Sequence, residues 1–260
     1  MTTLTPVAAL LRKNRVLVVA HRGASRVAPE NTLLAFEAAL QVGVDLVEFD
    51  YLHSADGVPV AFHDEELDRL TDAHAVFGEA KIRLATKTLA ELKRLDAGGW
   101  FGPQFVGTRI PTLAEALDTI LTGAMPLVER KAGDAATFVE LIRQKNCLGR
   151  LAVIAFDWDF LADCRRLAPD LTLGAIGQHD LTAAQLDEIQ SFGAAFVGWN
   201  NDHLTKPYID AIHERGLKAS VWTVDDAERA RQLIDFGIDA ITSNVPEKIK
   251  AVVAAHPRAR

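Results

Sequence analysis

Short runs of β-branched and other apolar residues alternate along the chain with stretches of helical period. The runs at 16–20, 45–50, 125–131, 151–156, 172–176, 195–199, 218–222 and 239–243 predict eight strands. Several are apolar at successive positions, as strands covered on both faces are. Between them, residues 31–42, 112–122, 134–146, 182–192, 205–215 and 225–236 place apolar side chains at helical spacing. Gly43, Gly193, Gly216 and Gly237 stand just past four of these stretches, where a left-handed helix cap favours glycine.

Eight strand–helix units fit an α/β chain of about 250 residues closed into a (β/α)8 TIM barrel. An open doubly wound sheet is the alternative, but no GxGxxG or GxxxxGK[ST] loop supports it. No Pro/Gly-rich linker divides the chain, so residues 1–260 read as one TIM-barrel unit. Residues 64–111 break the rhythm, with no clear period before about residue 88 and a Gly98-Gly99-Trp100-Phe101-Gly102-Pro103 stretch. They read as an insertion after the hairpin of the second strand, elaborating one face.

Charge narrows the function classes. With 28 Lys+Arg against 35 Asp+Glu the net charge is −7, which argues against a nucleic-acid partner because phosphate backbones need a basic surface. A hydrophobic fraction of 49% argues against intrinsic disorder. Two cysteines, Cys147 and Cys164, have neither the number nor the spacing of a disulfide scaffold or a zinc site, and read as buried free thiols. The N-terminal MTTLTPVAALLRKNR has no secretory-leader pattern, and no apolar run approaches the ~20 residues that span a bilayer. A cytoplasmic protein without stable membrane insertion is the expectation, and a homodimer is compatible with it.

The informative positions are charges inside strands. In the run ending Val47-Glu48-Phe49-Asp50, alternation sends Glu48 and Asp50 to one face and Val47 and Phe49 to the other. Two carboxylates side by side in a buried strand are costly without a cation. Glu129 and Lys131 repeat the spacing at another strand end, where barrel sites form. A two-residue Asp56-Gly57 turn would pair Ala55 with Val58, and in that register His63 lies opposite Asp50. His21 and Arg22 follow the first strand. Three acidic donors without cysteine suit one hard divalent cation, Mg²⁺ or Ca²⁺. Two histidines beside such a cation, with Arg22 and Lys131, suit phosphoryl chemistry: one imidazole takes a proton from a hydroxyl and the other protonates the leaving oxygen.

The ordered set His21-Arg22-Gly23, Pro29-Glu30-Asn31-Thr32, Glu48-x-Asp50, Asp56-Gly57, His63-Asp64, Ile110-Pro111-Thr112-Leu113, Glu129-x-Lys131 and Val221-Trp222-Thr223-Val224 resembles the glycerophosphodiester phosphodiesterase family over roughly residues 16–248. The resemblance implies metal-dependent cleavage of glycerophosphodiesters, such as glycerophosphocholine or glycerophosphoethanolamine, to glycerol 3-phosphate and an alcohol. By position, His21 and His63 match the acid–base pair, Glu48, Asp50 and Glu129 the metal ligands, and Arg22 and Lys131 the phosphate-contacting cations. It further implies that the free glycerol hydroxyl attacks phosphorus, giving a cyclic phosphate that water opens, and that residues 64–111 cap the site. Trp222, at a strand end, would pack against the glycerol or headgroup or else sit in the core. Asn31 or Thr32 would cap the following helix and Glu30 orient a ligand. Two positions depart from the family pattern. Arg130 stands where an aliphatic residue is usual and should face the helix layer, and Asn244 in Ser243-Asn244-Val245-Pro246 replaces an aspartate. His53, His74 and His179 read as surface or loop residues.

Two other functions fit parts of the pattern. Cleavage of a lysophospholipid would need an apolar approach surface, for which residues 98–106 are the candidate. A non-catalytic phosphoester-binding barrel would need no acid–base pair, so both histidines and all three carboxylates argue against it.

Overall fold

The computed structural model describes residues 7–257, so the leader reading at residues 1–6 lies outside the described residues. The chain begins with α1 (Val7–Leu11) and β1 (Leu17–Ala20), then α2 (Leu33–Val42), β2 (Leu46–His53) and β3 (Pro59–Ala61). The short helices α3 (Ala73–Phe77) and α4 (Leu89–Leu92) occupy the stretch before α5 (Leu113–Ile120) and β4 (Met125–Arg130). There follow α6 (Ala135–Gln144), β5 (Ala152–Ala155), α7 (Trp158–Leu167), β6 (Thr172–Gly177) and α8 (Ala183–Ser191). The last units are β7 (Phe196–Asn200), α9 (Lys206–Glu214), β8 (Lys218–Trp222), α10 (Ala227–Phe236), β9 (Ala240–Ser243) and α11 (Pro246–Ala255).

Among the described residues, eight parallel strands run in the order β1-β9-β8-β7-β6-β5-β4-β2, and β1 pairs with β2 to close the barrel. β3 is antiparallel and hangs on the upper part of β2. The open-sheet alternative is therefore excluded. Helices α7 and α11 are absent from the sequence expectation. α7 mixes Asp159, Asp163, Arg165 and Arg166 with its apolar face, which blurs the period.

Alternation along the strands builds two cores. Val47, Phe49, Tyr51, Val128 and Val153 point outward and pack with Phe36 of α2 and Phe138 of α6. Leu17, Val19, Leu46, Met125, Leu127, Ile154 and Phe196 point inward, and Val7 and Leu10 of α1 close the lower end. Going up the barrel, the cross-strand neighbours between β2 and β4 are Leu46 and Met125, then Glu48 and Leu127, then Asp50 and Glu129. The interior thus changes from apolar to acidic at the C-terminal ends of the strands, the face where barrel sites form.

The hairpin corrects one expectation. Tyr51 pairs with Ala61 and Leu52 with Val60, so Asp50 lies opposite Phe62, not His63. Ser54 and Val58 close a three-residue loop, Ala55-Asp56-Gly57, with Gly57 at φ +78°. A three-residue loop ending in a left-handed glycine competes with the two-residue turn for the same Asp-Gly signal, and it shifts the register by one.

Residues 64–111 pack around their own apolar cluster, which includes Leu67, Leu70, Ile82, Leu84, Leu92, Leu95 and Ile110, against Leu52 and Val60 of the hairpin. Thr88 and Glu91 form a capping box at the start of α4.

Candidate active site

A cavity of about 340 Å³ opens at the C-terminal ends of the barrel strands, lined by His21, Arg22, Glu48, His63, Glu129, Lys131 and Trp222. Asp50 lies behind Arg22 and Lys131. The cavity's other wall is Ile154, Phe156, Ile176, Phe196 and Gly198, so one half is charged and the other mostly apolar. His21, Glu48, Glu129, Lys131 and Trp222 share the inward parity of their strands. His63 arrives differently: β3 ends at Ala61, and the chain turns out of the strand and brings the imidazole to the cavity.

The three carboxylates are buried, with Glu48 2% and Asp50 1% exposed. One oxygen from each of Glu48, Asp50 and Glu129 falls within 4.8 Å of the others. Burial, with Asp50 and Glu129 alongside, pushes the Glu48 carboxyl well above its usual range, and burial next to Asp50 pushes Glu129 up to about 7. Asp50 goes the other way: burial would raise it, but Lys131, Arg22 and His63 together hold it below its ordinary value. Lys131 Nζ is 3.2 Å from Asp50 Oδ1 and also bonds Glu129, and Arg22 Nε is 3.3 Å from Asp50 Oδ2. Glu48 Oε2 accepts the Arg22 backbone N–H at 2.9 Å, while its Oε1 is buried without a hydrogen-bond partner. A buried oxygen left in this state, in a cluster of three acidic donors, fits a hard divalent cation.

Asn31 is buried at φ +56°. Its Nδ2 donates to Asp50 Oδ2 at 3.0 Å, and its Oδ1 accepts from the Asp50 N–H at 3.2 Å. Asparagine tolerates this left-handed backbone better than most residues. Thr32, by contrast, caps α2 by accepting from the Ala35 N–H. Of the two candidates for the helix cap, Thr32 holds the helix and Asn31 holds the site.

Each histidine is fixed from behind. His21 Nδ1 lies 2.7 Å from Asn244 Oδ1. The amide orientation follows from its far side, where Asn244 Nδ2 donates to Asp225 Oδ2 at 2.8 Å and a carboxylate can only accept. His21 therefore carries its proton on Nδ1 and turns an unprotonated Nε2 to the cavity. Burial, helped by Arg22, lowers His21 to about 4. His63 Nδ1 is 2.6 Å from Asp64 Oδ1, so it donates to a carboxylate. Burial opposes that carboxylate's charge, but Arg69 and His63 outweigh it and lower Asp64 to about 2. Glu30 accepts from Arg22 Nη1 at 2.7 Å.

Trp222 ends β8 half-buried, its Nε1 donating to the Gly198 carbonyl at 3.3 Å, and meets the exposed Phe156 edge to face at 5.8 Å. Arg130 faces outward as expected, bonding Asp157 and lying over the Phe160 ring. His53 is the half-buried last residue of β2 and His74 lies on α3, while His179 is an exposed loop residue. The structure thus gathers every sequence-predicted site residue at one cavity. Asn31, Asp64, Arg69, Asp225 and Asn244 complete it, and no local sequence period signals them.

Fold and cavity together define a barrel enzyme equipped for phosphoryl transfer at its C-terminal rim. The pattern of the glycerophosphoryl diester phosphodiesterase family matches residues 21–248, and the chain belongs to that family. A glycerophosphodiester phosphodiesterase of Bacillus subtilis is 32% identical, the match covering 94% of this chain and 90% of the relative. One from Caldanaerobacter subterraneus subsp. tengcongensis is also 32% identical, over 90% of this chain and 96% of its own length. Among solved structures, an Oleispira antarctica phosphodiesterase in complex with the product sn-glycerol-3-phosphate superposes with a TM-score of 0.84 at 30% identity, covering 93% of this chain and 98% of that one. The activity of this chain is phosphodiester hydrolysis on glycerophosphodiesters. No helix among the described residues is long and apolar enough to cross a membrane.

Proposed function

We propose that the enzyme hydrolyses glycerophosphodiesters of small alcohol headgroups, such as choline or ethanolamine, to sn-glycerol 3-phosphate and the alcohol. The observation that carries this reading is the pair of differently backed histidines at the cavity that holds the buried carboxylate cluster. Glu48, Asp50 and Glu129 would hold one Mg²⁺ or Ca²⁺, which when bound supplies charge neutralisation at the phosphate oxygens. Arg22 and Lys131 contact those oxygens and stabilise charge in the transition state. His21, with Nε2 free, takes the proton of the glycerol 2-hydroxyl as its oxygen attacks phosphorus. His63, held through Nδ1 by the Asp64 carboxylate, gives the Nε2 proton to the departing alcohol oxygen as the phosphorus–oxygen bond breaks. The cyclic phosphate is opened by water with the two roles reversed. Trp222 and Phe156 form the wall against which the alkyl part of the substrate rests.

Residues 1–260 act in this reading as one catalytic unit with 64–111 as its cap, supported by the bonds of Arg69 to Asp64 and Glu30. The buried free thiols of Cys147 and Cys164 support a reducing, cytoplasmic setting. The test is release of sn-glycerol 3-phosphate from glycerophosphocholine with and without EDTA, followed by Mg²⁺ or Ca²⁺ add-back. Chelator-sensitive release restored by one cation supports the proposal. Silence on every glycerophosphodiester, with turnover of a lysophospholipid, would overturn it.

A further inference from the structure

Arg69 takes no direct part in the proposed chemistry, yet it bonds the carboxylates behind both His63 and Arg22. It lies in the 64–111 segment, before α3. Its Nε donates to Asp64 Oδ2 at 2.6 Å and its Nη2 to Asp64 Oδ1 at 3.1 Å, a two-pronged grip on the carboxylate behind His63. The same Nη2 donates to Glu30 Oε1 at 3.0 Å, the oxygen that also accepts from Arg22. A chain of contacts therefore runs His63, Asp64, Arg69, Glu30, Arg22, Asp50, with cations and anions alternating from Asp64 onward.

Half-exposed ion pairs contribute little to stability, and Arg69 is 51% exposed. Its value lies in direction. A guanidinium fork fixes the plane of a carboxylate, which an ammonium cannot do. With Oδ2 gripped by Nε, Asp64 Oδ1 is aimed at His63 Nδ1, which fixes the imidazole at the cavity it lines.

We propose that Arg69 is a positioning residue, which through Asp64 fixes His63 as proton donor to the departing alcohol. The proposal rests on the reading of His63 as that donor. In the step concerned, the bond from phosphorus to the headgroup oxygen breaks and His63 Nε2 gives that oxygen its proton. A headgroup that leaves as a stable anion needs no proton, so a defect in donation vanishes when the leaving group is changed, and a general structural defect does not.

The test compares single-turnover release of the headgroup by the full-length enzyme from glycerophosphocholine and from the p-nitrophenyl ester of glycerol 3-phosphate, with cation saturating, so that the later opening of the cyclic phosphate does not enter the rate. Arg69→Gln is expected to lower that release rate on glycerophosphocholine about 10- to 100-fold, the range for residues that orient a working group. Its loss on the nitrophenyl ester should be under about 3-fold, as should that of the reference variant His63→Asn, whose loss on the natural diester approaches about 10²–10⁴. Arg69→Lys keeps the charge without the fork and should recover only part of the rate; it carries the same comparison if Arg69→Gln fails to fold. Adding Asp64→Asn to Arg69→Gln should cost little more than either alone, as for residues acting in one chain.

An equal loss on both substrates, or no loss, in the Arg69 variants while His63→Asn discriminates between them overturns the role of Arg69 alone. If His63→Asn loses equally on both, the assignment of His63 as donor falls, and this proposal with it. If the wild type cleaves neither, the functional reading has failed.

Discussion

Loading the carboxylate cluster with a divalent cation should expel protons, because burial raises two of its three members above their ordinary values. Asp50 is kept ionised by Lys131 and Arg22, but Glu129 is raised from an ordinary 4.5 to about 7 and Glu48 lies well above its usual range. The rise at Glu129 corresponds to on the order of 3 kcal/mol between the protonated and charged forms. Its sign follows from linkage: a carboxyl raised in the folded state binds more protons folded than unfolded between pH 4.5 and 7. The cation-free protein therefore loses stability from this group as pH rises across that window. A bound cation keeps the carboxylates ionised and removes the loss, so the stabilisation it confers should grow by about 3 kcal/mol from pH 4.5 to 7 through Glu129 alone. His21 works in the opposite sense. Lowered from 6.5 to about 4, it adds stability as pH rises between those values. A cation held by Glu48, whose Oε2 lies 3.9 Å from His21 Nε2, would lower His21 further, which acts below pH 4 and leaves the difference between pH 4.5 and 7 nearly unchanged. Denaturant melts with and without Mg²⁺ or Ca²⁺ at pH 5–8, with calorimetric titrations in two buffers of different protonation enthalpy, measure both quantities. Glu129 alone should release about one proton per cation at pH 6, and far less at pH 8. No proton release at pH 6 would refute the reasoning.

Glu48→Ala should abolish turnover and cation binding together. Because it removes an unpartnered buried oxygen, the cation-free protein should melt within about 2 kcal/mol of wild type in circular dichroism. Asn31→Ala removes both bonds to Asp50 and leaves an alanine at φ +56°, which should cost about 2–4 kcal/mol in urea melts. At Gly198 an added Cβ would lie 3.0 Å from Ile176 and 3.9 Å from Trp222, so Gly198→Val should fill the apolar wall. It should lower kcat/KM about 10-fold or more while costing about 1–3 kcal/mol of stability, and an unchanged kcat/KM would show that this wall does not meet the substrate. Asn244→Asp places a carboxylate behind His21 and raises its pKa. Since the base must be neutral, the acid limb of kcat/KM should move to higher pH.

What the sequence shows and hides divides along a physical line. Strand alternation is local and strictly two-residue, so the burial of Glu48, Asp50, Glu129 and Lys131 toward one axis is legible from the chain, and the inward rows of β2 and β4 follow it. Turn register is local too, but the Asp56-Gly57 signal serves both two- and three-residue loops, and only the closing bond from the Ser54 N–H to the Val58 carbonyl separates them. The consequence is instructive for His63. A strict strand in the observed register would have turned this side chain to the other face. Ending β3 at Ala61 frees the chain to bring it back to the cavity. The groups behind the histidines are hidden for another reason. Asn244 is 223 residues from His21, and Arg69 is 39 from Glu30. The first pair exists only once the barrel has closed and brought β9 beside β1, the second only once the segment after β3 has folded against the loop between β1 and α2. The two proposed proton-transfer roles rest on the difference between an amide behind one imidazole and a carboxylate behind the other. Chemistry carried by residue type along a strand can be read in advance, whereas chemistry carried by what stands behind a residue requires the fold.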